Sequence, residues 1–327
     1  MILSFKQNII SLIRKIVSFF LFDCIFKFFI KKDLLVFNYH EISDSPSEFS
    51  KKYNLSVSNE VFKIQLKFIK KYYNIISPID LVNNNFSRPA ALITFDDGFK
   101  STFQNGLNQL SEFRIPSVIF LNFAPIKGEI FWVGLVTYLC ITDKDFEEKM
   151  AKKYNVKNKN LHLYISEEDI IDFNDRLEDP TFISKIKNYY GDFANEDDLI
   201  ASKNNYAYLG NHLYNHYNAV NISKSDLIKN YQKNNELLKK YSNSIDFFSY
   251  PFGQPITCFT EETNKTLKSI GAKKVFTAYS LPNYKDQCFI YHRVPMFNYI
   301  SNINLFKFNC LFPPLFNRIF KKKISYE

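Results

Sequence analysis

Two short segments carry residue types and spacings that can do chemistry. In Ala90-Ala-Leu-Ile-Thr-Phe-Asp-Asp-Gly98 an apolar run delivers adjacent carboxylates, Asp96 and Asp97, to a turn marked by glycine. Charges taken from water at the end of a buried strand need partners, and a metal ion or a catalytic role supplies them. The second segment, Gly210-Asn-His-Leu-Tyr-Asn-His216, offers His212 and His216 at i, i+4. On one helical turn two such imidazoles face the same way and can share a metal. Two histidines and one carboxylate make a facial set that leaves open positions for water and substrate, as a catalytic site requires. Adjacent Asp side chains on an extended segment point apart, so one can bind metal while the other acts as a base or is oriented elsewhere. The combination reads as a metal-assisted hydrolase. An aspartyl phosphatase fits less well, because that chemistry wants Asp-x-Asp rather than adjacent acids.

The elements that must position these residues alternate along the chain. Short apolar runs at Leu34–Phe37, Ala91–Ile93, Pro116–Leu121, Tyr206–Leu209, Ile245–Phe248, Lys274–Thr277 and Phe289–Tyr291 read as strands. Helical patterns fall at about 59–73, 99–113, 224–241 (opened by Ser223) and 260–270 (stopped by Gly271). Strand–helix alternation implies parallel strands with crossover helices. Several strands run straight into a polar residue: His40, Asp96 and Asp97, His212, Pro251-Phe252, and His292. Parallel barrels build their sites at the carboxyl ends of their strands, so an α/β barrel accounts for the pattern, with a doubly wound sheet as the alternative. From about 127 to 202 the chain is charged, helix-like and free of strand signals. It reads as a helical insertion over the rim of the site, a lid or substrate platform, or else as solvated padding.

Composition bounds the partners. The chain has 327 residues and a net charge of +9, which favours an anionic partner, nucleic acid or an acidic membrane surface. Much of that charge sits beside apolar runs near the two ends, which favours the membrane, with no nucleic acid expected. Residues 1–32 repeat Ile, Leu and Phe at helical spacing, yet Arg14, Lys15, Asp23 and Lys27 interrupt them. A spanning helix needs about 20 apolar residues, so this reads as an amphipathic interfacial helix on anionic lipid. The alternative is a helix packed on the domain's own core. The tail, 301–327, repeats the theme with Phe306, Phe308, Leu311, Phe312, Leu315, Phe316 and Phe320 before Lys321, Lys322 and Lys323. The division is therefore an interfacial helix (1–32), a barrel (33–300) with its insertion (127–202), and a basic amphipathic tail (301–327). Five scattered cysteines form no Cys-x-x-Cys pair and point to a reducing compartment.

Thr94-Phe-Asp-Asp-Gly98 followed by His212-x-x-x-His216 resembles the polysaccharide deacetylases, the NodB-homology group of carbohydrate esterase family 4. Further matches occur in order: Tyr39-His40-Glu41, Phe248-Ser-Tyr-Pro-Phe-Gly253, and Arg293. The resemblance spans about residues 34–297 and implies a distorted (β/α) barrel. It also implies metal-dependent removal of an N-acyl group, usually acetyl, from a 2-acetamido sugar. On that resemblance Asp97, His212 and His216 hold a divalent metal, zinc or another transition ion, and Asp96 is the general base. A backbone N–H near Tyr250, Pro251 and Phe252 faces the oxyanion and the substrate. Two departures stand out. Many members have an arginine where this chain has Ser249, and Arg293 is the candidate to supply the missing cation. The late Leu-x-His-Asp motif is absent, which leaves His292 or His40 to protonate the leaving amine. The substrate expected is an N-acetylated glycan or polyprenyl-linked sugar, met at the cytoplasmic face of the membrane, or outside it if an uncleaved N-terminal anchor exports the chain. A catalytically silent glycan-binding protein and a deformylase of a lipid-linked amino sugar are the competing readings.

Overall fold

A computed structural model describes residues 22–156, 158–285 and 288–319. Seven parallel strands close into a barrel: β1 (Leu34–Tyr39), β2 (Ala90–Phe95), β3 (Ser117–Leu121), β4 (Ala207–Asn211), β5 (Ser244–Ser249), β6 (Lys274–Thr277) and β7 (Ile290–Pro295). They follow one another around the ring in chain order, and β1 closes it by pairing β7 on one side and β2 on the other. The short strand Asn74–Ile75 adds to the first two residues of β2. The open-sheet alternative is thereby excluded.

Period-two alternation divides each strand between two environments. Leu34, Val36, Leu92, Val118, Phe120, Phe247, Phe276 and Tyr291 form one buried cluster, which plugs the barrel. Leu35, Phe37, Ala91, Ile93, Ile119 and Leu121 belong to the cluster that meets the helices. Gly210 on β4 is glycine for a packing reason. A Cβ there would lie 2.7 Å from the Phe120 ring and 3.2 Å from the Phe247 carbonyl oxygen.

The helices α1 (Asp23–Ile30) and α2 (Asn59–Tyr72) pack on one side of the barrel. Ser58 caps α2 by accepting from the Val61 N–H, and Phe62, Leu66 and Ile69 bury its apolar face. The insertion contributes α3 (Trp132–Thr142), α4 (Lys144–Tyr154) and α5 (Pro180–Tyr190). Phe131, Val136, Leu139, Phe146, Met150 and Ile186 give it an apolar core of its own, shared with Phe49 and Phe99 from the barrel loops. Beyond β4 come α6 (Lys224–Leu238), α7 (Glu261–Ser269) and, at the end, α8 (Ile303–Ile319).

The two flanks are joined. Asp23 of α1 accepts from Lys307 of α8 and from Lys71 (3.0 Å) and the Tyr72 hydroxyl (2.8 Å) of α2. Phe26 and Phe306 are fully buried among them. One side of each flank therefore packs on the domain's own core. The other side leaves Phe28, Phe29, Leu315 and Phe316 half or more exposed. The expected helix over residues 1–21 and the basic end 320–327 lie outside the described residues. Among the described residues no helix is long and apolar enough to cross a membrane.

Candidate metal and catalytic site

At the carboxyl ends of the strands the inward-facing phase turns polar. Asn38 continues the side of Val36, Thr94 and Asp96 that of Leu92, Ser249 that of Phe247, and Arg293 that of Tyr291. Arg293 is fully buried and its guanidinium uses every edge. Nη1 and Nη2 donate to Asp96 Oδ1 and Oδ2, both at 2.7 Å. Nη1 also donates to Asn38 Oδ1 (2.9 Å), Nη2 to Ser249 Oγ (2.8 Å) and Nε to the Thr277 carbonyl (3.0 Å). This forked, charge-assisted geometry fixes a carboxylate in both position and plane. Burial pushes the Asp96 carboxyl up, but Arg293, first among the cations facing it, reverses this and holds it below the usual carboxylate range.

Asp97 turns the other way. Its φ of 72° and the 84° of Gly98 form a left-handed corner after β2. A Cβ at Gly98 would sit 2.8 Å from Leu121, so the corner needs glycine. Asp97 Oδ1 lies 3.0 Å from His216 Nε2 and 3.4 Å from His212 Nε2. His212 Nδ1 lies 2.8 Å from the Ser249 carbonyl, to which it must donate, so its Nε2 presents a lone pair to the cluster. Asp97 Oδ1 is buried and accepts no well-directed hydrogen bond. Three buried ligand atoms, one from each side chain and all within 4.8 Å of one another, fit a divalent cation.

The histidines reach this geometry by a route other than a helical turn. Residues 212–216 form an irregular loop after β4. Asn211 Oδ1 accepts from the Leu213 N–H, an Asx turn that breaks any helix at its start. Leu213 and His216 then adopt φ of 61° and 58°. The rings still converge, edge to face with centroids 4.8 Å apart. Phe252 (5.0 Å) and Phe131 (5.5 Å) hold the His216 ring edge-on.

A cavity of about 380 Å³ opens over the cluster, lined by His40, Asp96, Asp97, His212, His216 and Phe252 among others. His40, a quarter exposed, stands at the mouth with Nε2 3.9 Å from Asp96 Oδ2. Burial lowers its pKa, and the nearby Asp97 and Asp96 only partly oppose that.

Three expected residues lie elsewhere. His292 falls on the outward phase of β7, between inward Tyr291 and Arg293, and its Nδ1 pairs with Thr277 Oγ1 at 2.9 Å. It does not line the cavity. Tyr250 is fully buried, its hydroxyl bonded to Thr263 Oγ1 and Asn264 Oδ1 of α7 and its ring stacked on Phe259. Its N–H donates to the Phe276 carbonyl, and Pro251 has none to give and is also off the cavity. Of that trio only Phe252 reaches the site. Conversely His162, from the insertion, lines the cavity beside Phe252 (5.4 Å), and burial pushes it down to about 4. Nothing in its sequence neighbourhood marks it.

This fold is that of the polysaccharide deacetylases. The chain is similar to the Streptococcus pyogenes deacetylase PplD, solved in complex with acetate, at 14% identity over 82% of this chain and 94% of that one, TM-score 0.55. IcaB from Ammonifex degensii aligns at 16% identity over 85% and 97%, TM-score 0.56. BC0361, a polysaccharide deacetylase from Bacillus cereus, aligns at 13% over 85% and 68%, TM-score 0.53. No protein-family profile and no curated protein sequence matches the chain.

Proposed function

We propose that this protein is a metal-dependent N-deacetylase of an acetylated glycan. One observation carries the reading: two adjacent carboxylates are given opposite surroundings, Asp96 locked on Arg293 and Asp97 turned onto two imidazoles. Asp97, His212 and His216 would hold the ion, and a two-nitrogen, one-oxygen donor set suits Zn²⁺. Such an ion, when bound, acidifies water and polarises an amide carbonyl.

The remaining work falls to the chain. Asp96, ionised at neutral pH, takes a proton from the attacking water as the C–O bond forms, and Arg293 keeps its oxygens from swinging away. The Phe252 N–H, the one of its trio still available among the described residues, is the oxyanion donor. His40 stands between Asp96 and the mouth, placed to hand that proton to the amine as the C–N bond breaks. Acetate and a free amino sugar are the products. Acetate release from N-acetylated oligosaccharides, read with metal content, tests this. Asp97→Ala should lose both ion and turnover, and Asp96→Asn should keep the ion and lose turnover. Full activity of Asp96→Asn would overturn the base assignment.

We further propose that the glycan is a surface polysaccharide precursor, nascent on a lipid carrier, and that the chain docks peripherally on an anionic membrane. Support comes from the exposed Phe28, Phe29, Leu315 and Phe316 beside exposed Lys27, Lys31 and Lys32. Phe29, Phe308, Phe312 and Leu315 also line an apolar cavity of about 360 Å³ there. Flotation with anionic vesicles should carry the chain upward, and Phe28→Ser with Phe316→Ser should leave it at the bottom. Equal flotation of both proteins would end the membrane reading.

A further inference from the structure

The cavity over the ligand cluster has a larger neighbour. His162 lines both it and a groove of about 580 Å³ between the insertion and the loop that carries the two ligand histidines. The rim they share at His162 is pinned through the adjacent Leu163. Asn218, itself buried, donates from Nδ2 to the Leu163 carbonyl (2.9 Å) and to the Thr257 carbonyl (2.9 Å), and Asn221 donates to the same Leu163 oxygen. The groove is therefore built into the fold.

Its lining has a distinct chemistry. Trp132, the chain's single tryptophan, stands half-buried at the start of α3 and meets Tyr217 edge to face at 5.3 Å and 89°. Glu167, Glu168 and the Asn215 amide line the same space and make no side-chain hydrogen bond among the described residues. An aromatic pair in the same groove as unengaged carboxylates and an amide suits a pyranose. The sugar's C–H face packs on the ring while its equatorial hydroxyls find donors and acceptors at the edge. Among the described residues Lys229 is the one cation lining the groove, and Asp226 stands 3.8 Å from it, which with Glu167 and Glu168 leaves their sum negative. That balance disfavours an anionic glycan and accepts the ammonium that N-deacetylation leaves behind.

We propose that this groove is an extended glycan subsite: it binds sugars several residues away from the one at the metal cluster, so the substrate is a neutral or partly deacetylated polymer. This deepens the deacetylase reading and rests on it. A chain lying from His40 past His162 to Trp132 fills both cavities. Oligomers too short to span them gain nothing from the second.

The single tryptophan gives a direct readout. The full-length protein is titrated with N-acetylglucosamine oligomers of one to six residues while Trp132 emission is followed. Emission should shift with the longer oligomers and stay unmoved with the monomer. In parallel, the ratio of kcat/KM for hexamer over dimer should fall about tenfold in Trp132→Ala, equivalent to about 1.4 kcal/mol. The exposed pair Glu167→Lys with Glu168→Lys, which does not threaten folding, should weaken partly deacetylated oligomers more than fully acetylated ones. Unmoved emission at every length, or an unchanged ratio in Trp132→Ala, would overturn the subsite. An emission shift without acetate release from any oligomer would sustain the groove while refuting the deacetylase. Acetate release with unmoved emission would do the reverse.

Discussion

Replacing Arg293 tests the site through stability alone, without reference to turnover. The guanidinium is fully buried and donates to Asp96 twice, to Asn38, to Ser249 and to the Thr277 carbonyl. Arg293→Met keeps much of the volume and removes all of these donors, leaving the Asp96 carboxylate buried without its counter-charge. Breaking a buried pair from one side costs about 3–5 kcal/mol, which lowers Tm by roughly 6–20 °C at the sensitivity of larger domains. The cause can be isolated with a second change. If the loss comes from the stranded carboxylate, Asp96→Asn in the same chain removes the charge and recovers part of it, with a coupling of about 2 kcal/mol. Thermal and urea denaturation of wild type, both single variants and the double variant provide the measurement. Arg293→Lys is the activity counterpart. An ammonium cannot hold both carboxylate oxygens in one plane, and losing one charge-assisted bond worth about 1.5–3 kcal/mol predicts a 10- to 150-fold fall in kcat. A cycle coupling near zero, or Arg293→Met as stable as wild type, would refute the reasoning.

Two further outcomes follow from the barrel's other end and its interior. Burial pushes Asp33 up to about 7, so the folded chain holds its proton to higher pH than the unfolded chain does. Stability is then highest below the ordinary value of 3.8 and falls as pH rises towards 7. Asp33→Asn should therefore gain on wild type between pH 4 and pH 8, by about 4 kcal/mol at most, in denaturant titrations at the two pH values; an equal difference at both would contradict the assignment. Gly210→Ala drives a methyl into the Phe120 ring and should cost about 1–3 kcal/mol, part of which Phe120→Leu restores. If Gly210→Ala melts with wild type, the interior is looser than described.

All seven barrel strands were legible in the sequence, because each is a short apolar run between polar residues. Their true ends extend further, since Asn38, Thr94 and Arg293 continue the inward phase as a polar layer that hydrophobicity does not mark. The same alternation places His292 outward and pins Tyr250 on α7, a consequence available from counting by twos but hidden by their strand-end positions. The convergence of Asp97, His212 and His216 was legible from residue type, whereas the reason for it was misread. An Asx turn at Asn211, not a helical turn, brings the imidazoles together. Arg293 could be named only as a spare cation, because its partner Asp96 lies just past the end of β2 and only barrel closure sets them side by side. His162 could not be placed at all. Among the described residues the insertion has no named strand to fix a register, and it packs on an apolar core of its own.

The exposed aromatic face and the mouth of the cavity lie at opposite ends of one strand. β1 leaves Asp33, which borders the apolar cavity, and its six residues then deliver His40 to the rim of the catalytic one. At about 3.3 Å per residue that is a standoff of roughly 20 Å. A molecule seated by that face would work at arm's length from the surface beneath it, its opening turned outward. Sugars next to an anchor would pass below its reach, and those further along a growing chain would come within it. The barrel's height would thus act as a ruler, sparing the anchored end and setting where along the chain modification can begin.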